Sequence, residues 1–140
     1  ATTVKNVPGD RVLDARKRQG VHGWISEKES EAALKVSKLI ERITSLRVVN
    51  TVNEDLQIAG YTPGSYYTVH TDTYSFGEKE RTRVATFMLY LSDVEKGGDT
   101  AFVQAGVKVK PEKGSAVFWF NQLASGRLED LTWHGACPVI

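Results

Sequence analysis

Beyond Val48 the chain is interrupted repeatedly by turn signals: Pro63-Gly64, Gly77, Gly97-Gly98, Pro111 with Gly114, and Gly126. The intervening runs are short and rich in β-branched and aromatic residues. They predict strands near 55–60, 66–72, 82–92, 99–103, 106–110, 115–120 and 130–134. Many short strands at close spacing specify a sandwich, a jelly roll or a barrel. The run Val84–Leu91 lacks clean alternation, which predicts a central strand buried on both faces. Residues 71–81 hold little apolar content and predict a mobile surface loop.

One helix is expected before these strands, from Ser26 to Leu46. Ser26 with Glu29 has capping-box spacing, and Ile25 can act as the staple. Ala32, Ala33, Val36, Leu39, Ile40, Ile43 and Leu46 recur at i, i+3, i+4 spacing and predict one apolar face. Residues 1–25 read as irregular, with a basic run Arg16-Lys17-Arg18 and His22 as a loop residue. No repeat or linker divides the 140 residues, so a single domain over 1–140 is expected. The formal charge of +1 gives no general attraction to nucleic acid or to an anionic membrane surface, and neither is expected as a partner. No apolar stretch approaches the roughly 20 residues of a membrane span. The single cysteine, Cys137, is either an inert thiol or half of a disulfide whose partner lies beyond Ile140.

The chemistry centres on His70-x-Asp72. On a strand, residues two apart share a face, so an imidazole and a carboxylate stand side by side there. With His134 from another predicted strand, they form the two-histidine, one-carboxylate set that holds non-haem Fe(II) and leaves coordination positions open. The spacing alone also fits a strand histidine bonded to backbone, followed by an aspartate that begins a loop.

A longer set of residues narrows this. The stretch Asp55-Leu56-Gln57 with Tyr61 to Asp72 resembles the catalytic domain of prolyl 4-hydroxylases, most closely the animal collagen-type alpha subunit. The resemblance continues through Arg83–Val94, Gly97–Phe102, Lys110–Asn121 and His134–Val139, in order and at family spacing. It implies a mainly β fold with a flanking helix, a double-stranded β-helix or jelly roll. It implies His70, Asp72 and His134 as iron ligands, and Tyr61 and Thr86 as contacts to 2-oxoglutarate. Tyr67 matches a position beside the substrate proline, and Arg83 a substrate or loop contact. In a regular strand Tyr67 would point away from His70, so this match requires a bend or bulge after Pro63-Gly64.

The implied cofactors are Fe(II), 2-oxoglutarate as cosubstrate, and L-ascorbate. The implied reaction couples oxidative decarboxylation of 2-oxoglutarate to hydroxylation at C4 of a peptidyl proline, procollagen being the type substrate. A partner subunit and residence in the endoplasmic reticulum lumen follow from the same resemblance. The family pattern runs on into a Gly-x-Lys-Trp stretch whose lysine pairs with 2-oxoglutarate, and the sequence ends at Ile140 before it. The jelly roll is therefore expected to be truncated at its C-terminal strand, with Lys108, Lys110 and Arg127 as the cations at hand. Two alternatives remain at this point. One is a non-catalytic module that binds metal and Pro-rich peptide. The other is a metal site used for different chemistry, as in a cupin-type isomerase.

Overall fold

Ser30, four residues past the expected cap, starts the helix. In the computed structural model, which describes residues 18–49, 55–73 and 83–140, α1 spans Glu31–Thr44. The Ser30 Oγ accepts from the Ala33 amide at 3.3 Å. Ser26 instead closes a preceding turn, its carbonyl accepting from both Glu29 and Ser30 amides. Ser26 and Ser30 are both followed three residues later by a residue whose amide they can cap, and only the second adjoins the continuous helical run. The helix ends two residues before Leu46. Ser45 takes a left-handed conformation (φ 59°) and its amide bonds Glu41. Glu41 Oε1 then accepts from the Val48 and Val49 amides, both at 2.8 Å, which turns the chain away.

The covered row of α1 is Ala33, Ser37 and Ile40, whereas Leu39 and Ile43 are exposed. The apolar arc is wider than one row, and the small residues of the 33–37 row are the ones turned inward. A strand missed by the sequence reading precedes the helix: β1, Val21–Ile25, pairs antiparallel with β2, Leu56–Gly60. Gly23 weakened its signal, and cross-strand pairing overrides that local preference. His22 therefore lies in a strand, edge-on to Trp24.

Residue contacts group the chain into two units. One holds β1, α1 and β2; the other holds the described residues 18–19, 61–73 and 83–140. In the second unit the strands are β3 Tyr67–His70, β4 Ala85–Leu89, β5 Thr100–Phe102, β6 Val107–Val109, β7 Ala116–Phe120 and β8 His134–Ala136. They form a four-stranded sheet, β3-β8-β5-β6, and a ribbon, β4-β7, with all pairs antiparallel. The strand expected over 130–134 is corrected: Asp130–Thr132 is a 3-10 turn capped by Glu129, and the strand starts at His134. The run Val84–Leu91 is also corrected. It is not a central strand covered on both faces: among the described residues β4 pairs with β7 alone, and Val84 and Leu91 are exposed.

The ribbon lies over the sheet. Trp119 packs edge-on against Phe102 at 5.2 Å and against His134 at 4.8 Å, and the Tyr90 hydroxyl bonds Thr100 at 2.8 Å. Two antiparallel layers with these side chains between them give the jelly-roll arrangement. The loop expected over 71–81 falls largely outside the described residues, as do Arg16 and Lys17. No described helix is long and apolar enough to cross a membrane.

Candidate metal centre

Three elements deliver the site. β3 ends at His70, Asp72 follows in the bend after it, and His134 opens β8, directly opposite His70 in the register. One ligand atom from each of His70, Asp72 and His134 lies within 4.8 Å of the others. His70 Nε2 is 3.6 Å from Asp72 Oδ1, and His134 Nε2 is 3.8 Å from Oδ2. All three side chains are largely covered.

Both imidazoles are oriented the same way. His70 Nδ1 sits 2.8 Å from the Thr68 carbonyl, and His134 Nδ1 sits 2.9 Å from the Thr132 carbonyl. A carbonyl only accepts, so each Nδ1 carries the hydrogen and each Nε2 presents its lone pair to the centre. Fixing a ligand's remote nitrogen in this way is how proteins aim a metal-binding histidine. Ligand atoms about 2.1 Å from one cation stand roughly 3.0–3.4 Å apart. The observed spacings are slightly wider, and a small inward closure meets the requirement. Two imidazoles and a carboxylate on one side of a cation, with the remaining positions open, fit Fe(II).

The charges suit a cation as well. Burial would raise the Asp72 carboxyl, but the adjacent His70 imidazole, the Thr86 hydrogen bond and the nearby His134 outweigh it and hold the group down at about 2. Asp72 is therefore ionised. His134 is shifted below its usual value because burial disfavours its charged form more strongly than Asp72 and the Thr132 carbonyl favour it. A neutral imidazole is the form that ligates.

A hydrogen-bond chain supports Asp72 from behind. The Thr86 hydroxyl donates to Asp72 Oδ2 at 2.6 Å, and Asn121 Nδ2 donates to Thr86 Oγ1 at 3.0 Å. Arg83 approaches the other carboxylate oxygen, with Nη1 3.9 Å from Oδ1. Tyr67 stacks on His70, with ring centroids 3.7 Å apart and planes at 20°, and the Arg18 guanidinium lies 4.7 Å above the Tyr67 ring. The parity problem at Tyr67 is resolved by a register shift between Tyr67 and His70, which adds one residue on β3 and turns both rings to one face. Gly135 makes room for it. A Cβ there would stand 2.9 Å from the Tyr67 carbonyl oxygen and 3.2 Å from the Val69 amide nitrogen.

Of the residues singled out from sequence, His70, Asp72, His134, Thr86, Arg83 and Tyr67 thus meet at one place. Tyr61 is half-buried on the segment between β2 and β3, and among the described residues no hydrogen bond or ring contact joins it to the three ligands. Lys108 is engaged by Asp99 at 2.7 Å. Asn121 and Gly135, which adjoin the site, are not marked by the sequence reading. Both stand inside the resembling segments, but neither a buried amide nor a glycine against a bulge leaves a periodic signal.

Residues 56–140 match the pattern that defines the 2OG-Fe(II) oxygenase superfamily. The chain belongs to this superfamily. It is 36% identical over 148 residues to prolyl 4-hydroxylase subunit alpha-1 of Gallus gallus, covering 99% of the chain and 28% of that subunit. With the Homo sapiens alpha-1 subunit the identity is 38% over 147 residues, covering 100% and 27%. The chain spans little more than a quarter of the length of these relatives. Among solved structures, the viral collagen prolyl hydroxylase of Paramecium Bursaria Chlorella virus-1, a 2OG complex, superimposes with a TM-score of 0.74 at 30% identity, over 86% of this chain and 72% of the viral one. The superfamily takes Fe(II) and 2-oxoglutarate, and the three ligands are of the kind that requires.

Proposed function

We propose that this chain carries the catalytic site of an Fe(II)- and 2-oxoglutarate-dependent prolyl 4-hydroxylase acting on proline-containing peptides. The observation that carries the reading is the convergence of His70 Nε2, Asp72 and His134 Nε2 in a chain similar throughout to prolyl 4-hydroxylase subunits. Iron, 2-oxoglutarate and dioxygen supply the oxidising power when bound. The protein's own work is to hold and to exclude. His70, Asp72 and His134 would hold the cation, and they supply only three of its ligands. Phe102 and Trp119 close over His134 and keep water from that side of the ring.

Tyr67 lies beside the metal ligands and is our candidate for contact with the substrate proline, through the edge or hydroxyl of a ring whose faces meet His70 and Arg18. Arg83 is the candidate for a substrate or loop contact. Tyr61 and Thr86 are the candidates for 2-oxoglutarate. For Thr86 this requires its hydroxyl to turn from Asp72, which holds its one proton in this structure. L-ascorbate as reductant, a partner subunit and the endoplasmic reticulum lumen belong to the same reading, supported by the likeness to animal collagen-type subunits.

The test is turnover. The protein is loaded anaerobically with Fe(II), then given 2-oxoglutarate, ascorbate, air and a Pro-Pro-Gly repeat peptide. Succinate and 4-hydroxyproline forming in equal amounts is the expected result. Peptide affinity with iron bound and no oxidation would support the non-catalytic alternative instead.

A further inference from the structure

We propose that Asn121 is a positioning residue for the metal carboxylate: it fixes the Thr86 hydroxyl so that Asp72 is held by Oδ2 and offers Oδ1 to the cation. The inference rests on the metal-centre reading above but concerns a residue outside the ligand set. Asn121 is 1% exposed and is among the largest fully buried side chains described. A buried amide is retained only where its hydrogen bonds are made.

The geometry leaves little choice in the chain of bonds. Thr86 is paired with Trp119 across β4 and β7, and Asn121 follows Trp119 by two, so Thr86 and Asn121 are diagonal neighbours on the same face. The Asn121 main chain is tied on both sides: its amide donates to the Val84 carbonyl at 2.8 Å, and its carbonyl accepts from Glu129 at 2.9 Å. A hydroxyl has one proton. The Thr86 hydroxyl spends that proton on Asp72 Oδ2 at 2.6 Å, so Thr86 Oγ1 can only accept from its other neighbour. The amide side of Asn121 meets this need, at 3.0 Å. Without the amide, the Thr86 hydroxyl keeps only its bond to Asp72, and the second contact that fixes its oxygen is lost. Oδ2 takes the Thr86 bond and lies 3.8 Å from His134 Nε2, while Oδ1 lies 3.6 Å from His70 Nε2 and is the oxygen this arrangement turns to the cation.

Outer hydrogen bonds to a metal ligand typically contribute ten- to a hundredfold in metal affinity. The experiment measures Co(II) binding by calorimetry and by the visible absorption of the bound ion, with no 2-oxoglutarate or peptide present. It uses the wild type, Asn121→Leu, Thr86→Val, Thr86→Ser and the double variant. Asn121→Leu is expected to weaken Co(II) binding about tenfold. Thr86→Val is expected to weaken it at least as much, and Thr86→Ser to restore it. In the Thr86→Val background, Asn121→Leu is expected to add less than about twofold, because its effect passes through the missing hydroxyl.

Full additivity would overturn the proposal, since a residue that merely fills space has no reason to depend on Thr86. So would wild-type affinity in Thr86→Val together with a raised KM for 2-oxoglutarate, which would assign Thr86 to the cosubstrate alone. That arm holds even if Asn121→Leu fails to fold. Failure of hydroxylation leaves these readings intact, whereas a wild type that does not bind Co(II) overturns both this inference and the proposed function.

Discussion

The helix unit and the strand unit use their polar groups differently. In the first, the side-chain hydrogen bonds described around α1 are local: Ser30 with Ala33, Thr44 with Ile40, Glu41 with Val48 and Val49. They shape the two ends of α1. In the second, Thr86 reaches Asp72 from 14 residues away and Asn121 reaches Thr86 from 35. Such bonds cost more chain entropy to close. They also sit among covered side chains, where an unmade bond is costly. At the site these distant bonds join the local ones that aim His70 and His134, whereas around α1 local bonds finish the element.

The contrast breaks first at the ligands. His134→Ala or Asp72→Ala is expected to weaken Fe(II) or Co(II) binding by more than about a hundredfold and to abolish turnover, while the helical signal in circular dichroism is kept. Metal titration together with the far-ultraviolet spectrum checks this. Loss of the helical signal with the metal would mean that the two regions are not separate in this way.

Gly135→Ala comes next. The added methyl meets β3 backbone at 2.9 Å and has no flexible side chain to displace. Overpacking of this kind costs about 1–3 kcal/mol, and here it also presses on the bulge that sets Tyr67 and His70 on one face. Thermal melts and metal titration should both fall; an unchanged metal affinity would show that the bulge does not matter to the site.

The helix unit supplies the smaller effects. Ser30→Ala removes the cap and is expected to cost about 1 kcal/mol, against a few tenths for Ser26→Ala, with metal affinity unchanged in both. Denaturant melts distinguish the two serines. Glu41 is lower than its ordinary 4.5 because the Val48 and Val49 amides bond its carboxylate, which outweighs a small opposing effect of burial, with Arg47 and Lys38 helping. Its folded value is depressed, so its contribution is present above pH 4.5 and is lost as pH falls through the lower folded value. Glu41→Gln should flatten this acid limb and leave the neutral range nearly unchanged.

Much of this was legible from residues alone, and the limits follow the same division. Turn chemistry at Pro63-Gly64, Gly97-Gly98 and Gly114 bounded most strands, because turns are local. The motif His70-x-Asp72 with His134 marked the centre, because ligand types are few. The choice between Ser26 and Ser30 was not legible, since both have the right neighbours and only continuity of the helix decides. Tyr67 was legible as a conflict: its parity was wrong for the role its match implied, and the bulge opposite Gly135 is the reason. Asn121 was not legible, because nothing along the chain links it to Thr86 until β4 and β7 pair.

The central claim is that two imidazoles and one carboxylate meet on a single ferrous ion through the nitrogens that face inward. A crystal of the protein grown anaerobically with Fe(II) and measured at the iron absorption edge tests it directly. The account predicts one anomalous peak about 2.0–2.3 Å from His70 Nε2, His134 Nε2 and one Asp72 oxygen, with both Nδ1 atoms still on the Thr68 and Thr132 carbonyls. A peak bound through Nδ1, or lying away from any one of the three side chains, would contradict it.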